Sequence, residues 1–121
     1  MFRKFNFGAV ANGDIPAKTA VVAANPSPDN QMSDLDYSAK VAGDGEAVIG
    51  VSGITDTESG EVVEITAEGI VPVVAGEDLA IGDVVKSGED GKAVKVAEGD
   101  LAFGVAMKAA NKGEDVLVKL Q

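Results

Sequence analysis

Apolar positions along this chain recur in short runs with a period of two. From Glu61 to Glu68, Val63, Ile65 and Ala67 fall on one side of an extended backbone, with Glu64, Thr66 and Glu68 on the other. That alternation is the pattern of a half-buried strand. Near the C-terminus Val116, Val118 and Leu120 separate in the same way from Leu117 and Lys119. Further short strands are expected at Lys18 to Ala23, Ala47 to Val51, Ile70 to Val74, Val84 to Lys86, Ala93 to Val96 and Phe103 to Ala109. Pro72 inside one of these runs points to an edge strand or a bulge, because proline has no N–H for the ladder.

Turn residues punctuate the runs: Gly60, Gly82, Gly88-Glu-Asp-Gly91, Gly99-Asp100 and Asn111-Lys112-Gly113. Strands this short and this regularly interrupted predict an all-β fold, a small antiparallel barrel or sandwich with little or no helix. The sole helical candidate is a turn or two over Gly76 to Gly82. No internal repeat of the kind that builds a solenoid is visible. Residues 25–36 hold two prolines among Asn, Asp and Ser, and read as a polar loop. The expected organisation is an N-terminal arm over residues 1–8, then a single β-domain over 9–121 containing that loop.

Composition narrows the picture. The 121 residues include no Trp, one Tyr and four Phe, so Val and Ala carry the core. Val is stiff at χ1 and suits a pleated surface. Ala buries little area, so docking or self-association is expected to add stability. Ten basic residues face twenty acidic ones, for a net charge of −10. Nucleic acid is therefore not expected as a partner, since phosphate contacts need clustered Lys and Arg. An anionic membrane surface is disfavoured for the same reason. No apolar run approaches the roughly 18 residues needed to span a bilayer. The first residues faintly resemble a secretory signal, but Asn6 breaks an already short apolar stretch.

The arm contrasts with the acidic body. Phe2, Phe5 and Phe7 are three of the four phenylalanines, and Arg3 and Lys4 lie among them. In a strand, Phe5 and Phe7 would share a face. Two readings stay open: the arm adds a strand to a partner's sheet and seats its rings in pockets there, or it folds back and fills its own aromatic-poor core.

Candidate chemistry is sparse. Without His or Cys the chain lacks the commonest general base, metal ligand and thiol nucleophile. Ser52, in Gly-Val-Ser-Gly, does not match the nucleophile elbow and reads as a polar strand end. Gly43-Asp-Gly45 has the wrong spacing for a phosphate-binding loop and reads as a turn. The acidic pairs Asp34/Asp36, Glu77/Asp78, Glu89/Asp90 and Glu114/Asp115 match no calcium-loop spacing and read as solvated turns. No enzyme activity, cofactor or metal is expected. Gly82-Asp-Val-Val-Lys-Ser-Gly88 with Ala106-Met-Lys-Ala109 resembles pieces of a biotin carrier domain, which makes Lys108 the candidate of an alternative reading as a carrier or other small binding module. In that family, however, Met flanks the lysine on both sides and a hairpin turn presents it. Here Ala109 follows Lys108, which is expected inside a strand. A carbohydrate-binding β-domain would need aromatic stacking platforms that the composition does not supply.

The order of motifs in the C-terminal half is more specific. Glu68-Gly-Ile-Val-Pro-Val-Val-Ala-Gly76 leads into Leu79-Ala-Ile-Gly-Asp-Val-Val-Lys86; Gly91-Lys-Ala-Val-Lys95, Phe103-Gly-Val-Ala-Met-Lys-Ala-Ala110 and Gly113-Glu-Asp-Val-Leu-Val-Lys-Leu120 follow. This order resembles the capsid decoration, or cement, proteins of tailed bacteriophages, over residues 60–121 or so. The resemblance implies a small β-barrel-like domain on the outer surface of a phage head. It implies the major capsid protein as partner, self-association as a trimer, a place in the virion after synthesis in the host cytoplasm, and a stabilising role. Phe2, Arg3, Lys4, Phe5 and Phe7 are then the candidate capsid-docking residues.

Overall fold

The computed structural model describes residues 5–25, 37–97 and 99–121. Among them there is no helix. Ten strands run in order: β1 Phe5–Ala11, β2 Ala20–Ala24, β3 Ser38–Val41, β4 Gly50–Ser52, β5 Val62–Glu68, β6 Ile70–Val74, β7 Val84–Ser87, β8 Ala93–Lys95, β9 Gly104–Ala106 and β10 Asp115–Leu120. The first five close into a barrel in the order β1-β3-β2-β4-β5, and the last five form a sheet in the order β6-β10-β9-β7-β8. The expected all-β barrel is what the chain forms.

Barrel closure explains one departure from a purely antiparallel arrangement. A ring of five strands cannot alternate direction all the way round. One neighbouring pair has to be parallel, and that pair is β1 with β3, through Val10↔Ser38 and Ala11↔Ala39. The second sheet shows the same feature in reduced form, an isolated parallel bridge between Ala75 and Ala93 that joins the end of β6 to β8. It is thus a sheet curled towards a barrel, hereafter the second barrel, whose edge strands meet at that seam through one isolated bridge.

The two barrels are copies of one plan, a repeat that the sequence pattern does not reveal. Their cyclic strand order is identical once β6 to β10 are matched to β1 to β5. Ala20 pairs with Val51 and Val21 with Gly50 in the first; Val84 pairs with Val105 and Val85 with Gly104 in the second. The bridge Ile15–Thr57 recurs as Leu79–Ala110. The Asp14 carboxylate accepts the Ser59 N–H at 3.0 Å, and the Asp78 carboxylate accepts the Lys112 N–H at 2.8 Å. The Gly60 N–H donates to the Ala11 carbonyl and the Gly113 N–H to the Ala75 carbonyl, both at 2.8 Å. The sequence hides this because β2 and β3 are separated by the long segment containing 26–36, whereas β7 and β8 are joined by the short turn at Gly88 to Lys92.

The alternation read from sequence sets the cores. Val63 and Ile65 of β5 are buried while Val62, Glu64 and Glu68 are exposed. Val116, Val118 and Leu120 of β10 are buried, while Asp115 and Lys119 are exposed and Leu117 is half-buried. The first barrel encloses Ala9, Ala11, Ile15, Val21, Ala39, Val63 and Ile65. The second encloses a larger cluster that includes Val71, Val73, Val85, Phe103, Val116 and Val118, and this cluster also takes in Ala20, Val22, Ala42 and Val51 from the first barrel. The outer face of β2 and β4 therefore completes the neighbouring core. Each fully buried valine contributes on the order of 1.5–3 kcal/mol.

The barrels meet where the second one is least closed. Lys18 to Ala20 lie beside that seam: the Val74 N–H of β6 donates to the Lys18 carbonyl at 3.0 Å, and the Ala20 N–H donates to the Gly91 carbonyl at 2.8 Å. Gly91 lies so close to the first barrel that a Cβ there would collide with the Thr19 side chain and come within 2.6 Å of the Ala20 carbonyl. Pro72 fits the same geometry. Strand β6 is an edge of the sheet, and Pro72 lies two residues from Val74, whose N–H leaves the ladder for Lys18. The missing N–H of Pro72 lies on that outward side and removes no ladder bond.

Several expectations are corrected. Gly76 to Gly82 is not helical: Leu79 there bridges Ala110, and Gly82 at φ +87° turns the chain. The strand expected over Phe103 to Ala109 is limited to Gly104–Ala106, because the chain bends at Met107 and Lys108. The strands expected at Lys18 to Ala23 and Ala47 to Val51 are shifted to Ala20–Ala24 and Gly50–Ser52. The residue 5–8 portion of the expected arm is part of β1, paired with Glu64 to Glu68 of β5. Its alternating Phe5, Phe7 and Ala9 suit a strand, and β5 offers an edge in the same chain. Phe2, Arg3, Lys4 and the loop residues 26–36 lie outside the described residues.

Candidate functional site

Several of the groups singled out for chemistry are engaged in holding the fold. Ser52 is buried; its Oγ donates to the Pro16 carbonyl at 2.7 Å and accepts the Thr19 N–H at 3.0 Å. The Gly43-Asp-Gly45 turn is closed by Glu46, whose carboxylate accepts the Gly43 N–H. It docks on the second barrel through the Gly45 N–H and the Ser87 carbonyl, 2.9 Å apart. The acidic pairs cap backbone: Glu77 accepts the Lys95 N–H at 2.7 Å, and Glu114 accepts the Asn111 N–H at 2.8 Å. Glu89 and Asp90 are exposed in the β7–β8 turn, and Asp34/Asp36 lie outside the described residues. Among the described residues no three acidic side chains gather where a metal ion could sit. Lys108 is exposed in the bend after β9, not inside a strand as expected.

Sequence reasoning missed one charged cluster. Lys86, on the outer side of β7, places its Nζ 2.9 Å from Asp100 and 3.1 Å from Asp44. Asp44 belongs to the first barrel's turn and Asp100 to the loop before β9, so the lysine ties both barrels together. Hydrogen bonding to Asp100, then to Asp44, holds the Lys86 ammonium above its ordinary 10.5. In return the Lys86 hydrogen bond, helped by the Ala97 N–H, holds Asp100 below its ordinary 3.8. A second ion pair, Lys18 with Asp115 at 2.8 Å, also joins the barrels. Lys86 and Asp100 are each held in the charged form, the opposite of what a nucleophilic lysine or a general acid requires.

The noteworthy surface feature is exposed apolar side chains on an acidic protein. In β1, Phe5 is 56% exposed, whereas Phe7 packs against the first barrel's core. Their rings lie 6.2 Å apart, tilted by 35°. The register slips between Phe5 and Asn6. The two rings thus divide between the alternatives that the arm left open: one leans on the protein's own core, and one is presented to solvent. Phe5 borders a groove with Ala67, Glu68, Gly69, Leu120 and Gln121 at the junction of the barrels. On the second barrel, Ile81, Val84, Leu101 and Met107 are exposed around the outer side of β7 and β9. Apolar residues at turn positions, such as Ile81 in Ala-Ile-Gly-Asp and Leu101 in Gly-Asp-Leu-Ala, are the sequence signal for this surface, because turns are ordinarily polar.

The all-β chain thus presents apolar residues on its surface, open to contact with another protein. The comparisons give its class. The phage cement protein family matches residues 6–120, which covers both barrels, and the chain belongs to that family. It is a capsid-associated protein of the phage virion. No curated protein matches the chain. Among solved structures, the head fiber gp8.5 N base in bacteriophage phi29 is similar in fold, with a TM-score of 0.76 at 21% identity over 98% of this chain and 95% of that one.

Proposed function

We propose that this protein is a non-enzymatic decoration protein that binds the outer surface of a phage head and stabilises it, as a homotrimer on the major capsid protein. The observation that carries the reading is the extent of the family match: it takes in both barrels and leaves no part of the β-structure for a separate catalytic unit. The acidic body suits an outer position, away from packaged DNA. Synthesis in the host cytoplasm precedes attachment.

Of the candidates Phe2, Arg3, Lys4, Phe5 and Phe7, the first four make the capsid contact and Phe7 supports them from the protein's own core. Phe5 supports this reading: it stands exposed beside the inter-barrel groove, where a capsid segment can bury it. Burying one such ring contributes on the order of 2–3 kcal/mol. Arg3 and Lys4 then meet carboxylates on the capsid, and Phe7 braces the strand that carries Phe5.

The test is to add purified protein to heads assembled without it and to follow co-sedimentation and the heads' melting temperature. Saturable binding with a raised melting temperature is expected, with added density on the outside of the shell in electron micrographs. No binding, or density confined to the interior, sinks the reading.

A further inference from the structure

We propose that the outer face of β7 and β9, centred on Val84 and Val105, is a self-association surface that packs on the Tyr37 side of the first barrel of a second copy. The inference deepens the oligomer part of the function proposed above and rests on it.

The argument comes from the internal repeat. Within one chain, the first barrel presents the register pair Ala20–Val51 of β2 and β4 to its neighbour, and both residues are fully buried there. The corresponding pair in the second barrel is Val84–Val105. Val84 is 37% exposed and Val105 is half-buried. Ile81 and Met107 flank it, 72% and 39% exposed, and the Gly82 N–H on the Ala106 carbonyl holds their segments together at 2.8 Å. The same structural face is therefore used once inside the chain and presented apolar a second time.

Charge agrees with that assignment. Where the first barrel has Val22 on this face, the second has Lys86, and Asp100 and Asp44 neutralise it. Lys86 on this face is thus paired, and exposed Lys108 stands at the rim of the patch, beside Met107. On a chain of net charge −10, two copies repel unless the touching surfaces are uncharged.

The receiving surface follows from the same repeat. In the chain the β2–β4 face lies over the seam between β6 and β8. The equivalent seam in the first barrel lies between β1 and β3, and it is zipped by the Val10 N–H on the Tyr37 carbonyl at 2.8 Å. A second copy therefore packs on this seam without inserting a strand, and Tyr37, 64% exposed, is its anchor. The contact joins two different faces, and such head-to-tail contacts close into a ring when the rotation between copies allows it.

Cysteine cross-linking tests this directly, because the chain has no Cys of its own. Copies carrying Val84→Cys and copies carrying Tyr37→Cys are mixed and oxidised, alone and bound to heads. The expected result is a disulfide-linked pair in the mixture that neither variant forms by itself. In parallel, Val84→Lys is expected to weaken self-association at least tenfold in sedimentation with the melting temperature unchanged, and raised salt is expected to strengthen wild-type association. An oligomer that survives Val84→Lys and gives no mixed cross-link overturns the inference and leaves the trimer standing. A Val84→Lys protein that stays oligomeric but leaves the head assigns the face to the capsid and also overturns it. Wild type that is monomeric in solution and on heads removes both the inference and the trimer.

Discussion

Lys18 and Gly82 occupy the same place in the two barrels, and both adopt left-handed backbone, at φ +54° and φ +87°. Each donates its N–H at 2.8 Å to the start of the following bend, Lys18 to the Gly53 carbonyl and Gly82 to the Ala106 carbonyl. Glycine takes this conformation freely; a residue with a Cβ loses about 1–2 kcal/mol there. Lys18 offsets that cost with the ion pair to Asp115 and with its carbonyl on the Val74 N–H. Gly82→Ala is therefore expected to destabilise the protein by about 1 kcal/mol in urea unfolding. Lys18→Gly removes strain and a partly exposed ion pair together, so its midpoint is expected to move by less than about 1 kcal/mol. A large loss from Lys18→Gly would show that the ion pair dominates.

Gly50 and Gly104 form a second matched pair, with a sharper consequence. A Cβ on Gly50 would lie 2.5 Å from Ile65 Cγ2 and 2.7 Å from the Thr66 carbonyl oxygen. On Gly104 it would meet Val118 Cγ1 and stand 2.6 Å from the Lys119 carbonyl oxygen. In both cases a neighbouring backbone would have to move, which a packed barrel resists. Gly50→Ala and Gly104→Ala are each expected to cost about 1–3 kcal/mol or more. Gly99→Ala, with nothing within 4 Å, changes only backbone preference at φ +88°. Denaturant midpoints of the three variants check the ranking. Losses at Gly50 and Gly104 no larger than that at Gly99 would mean that the neighbouring backbone yields and crowding does not govern these sites.

The ion pairs of Lys86 make stability depend on pH in a defined direction. Asp100 is held below its ordinary 3.8, so its contribution is complete above that value and is lost as pH falls through the lower folded value. Lys86 is held above its ordinary 10.5, so its contribution is complete below 10.5 and is lost as pH rises through the higher folded value. Between those limits the cluster adds a flat increment. Asp100→Asn is expected to lower the melting temperature across neutral pH, with the gap to wild type closing below about pH 3–4 as the wild-type carboxylate takes up its proton. A gap that stays constant down to pH 2 would show that the hydrogen-bond geometry matters and the charge does not.

Much of this architecture is legible in the chain, because strand alternation is a local property. Val63 and Ile65, and Val116, Val118 and Leu120, are placed correctly from their spacing alone. What is not legible is the duplication. The pairs that define it, such as Asp14 with Asp78 or Gly50 with Gly104, are scattered among side chains that differ, since each barrel meets different surroundings. Ala20 packs on another barrel where Val84 faces outward; Val22 packs where Lys86 finds carboxylates. The Gly76 to Gly82 segment was open to a helical reading because Leu79 and Ile81 flank a good helix former. The bridge from Leu79 to Ala110, distant in sequence, decides otherwise. The proposed docking residues were half visible: the Phe-rich start stands out in composition, whereas the different settings of Phe5 and Phe7 depend on β5.

The contrast between Phe5 and Phe7 gives the most direct test of the proposed capsid docking. Phe5 is mostly in solvent, so Phe5→Ala removes little packing and is expected to change unfolding free energy by less than about 0.5 kcal/mol. Phe7 packs against the cluster of Ala9, Ile15, Val63 and Ile65, so Phe7→Ala is expected to cost on the order of 1–2 kcal/mol, below the range for fully buried rings. If Phe5 is the ring that a capsid pocket receives, the order reverses in binding. Phe5→Ala then weakens head binding by roughly thirtyfold or more, from about 2–3 kcal/mol of lost burial, while Phe7→Ala binds almost normally at temperatures where it is folded. Co-sedimentation with heads across a concentration series, run beside urea unfolding of the same preparations, separates the two effects. Equal binding by Phe5→Ala and wild type would move the docking site away from the barrel junction.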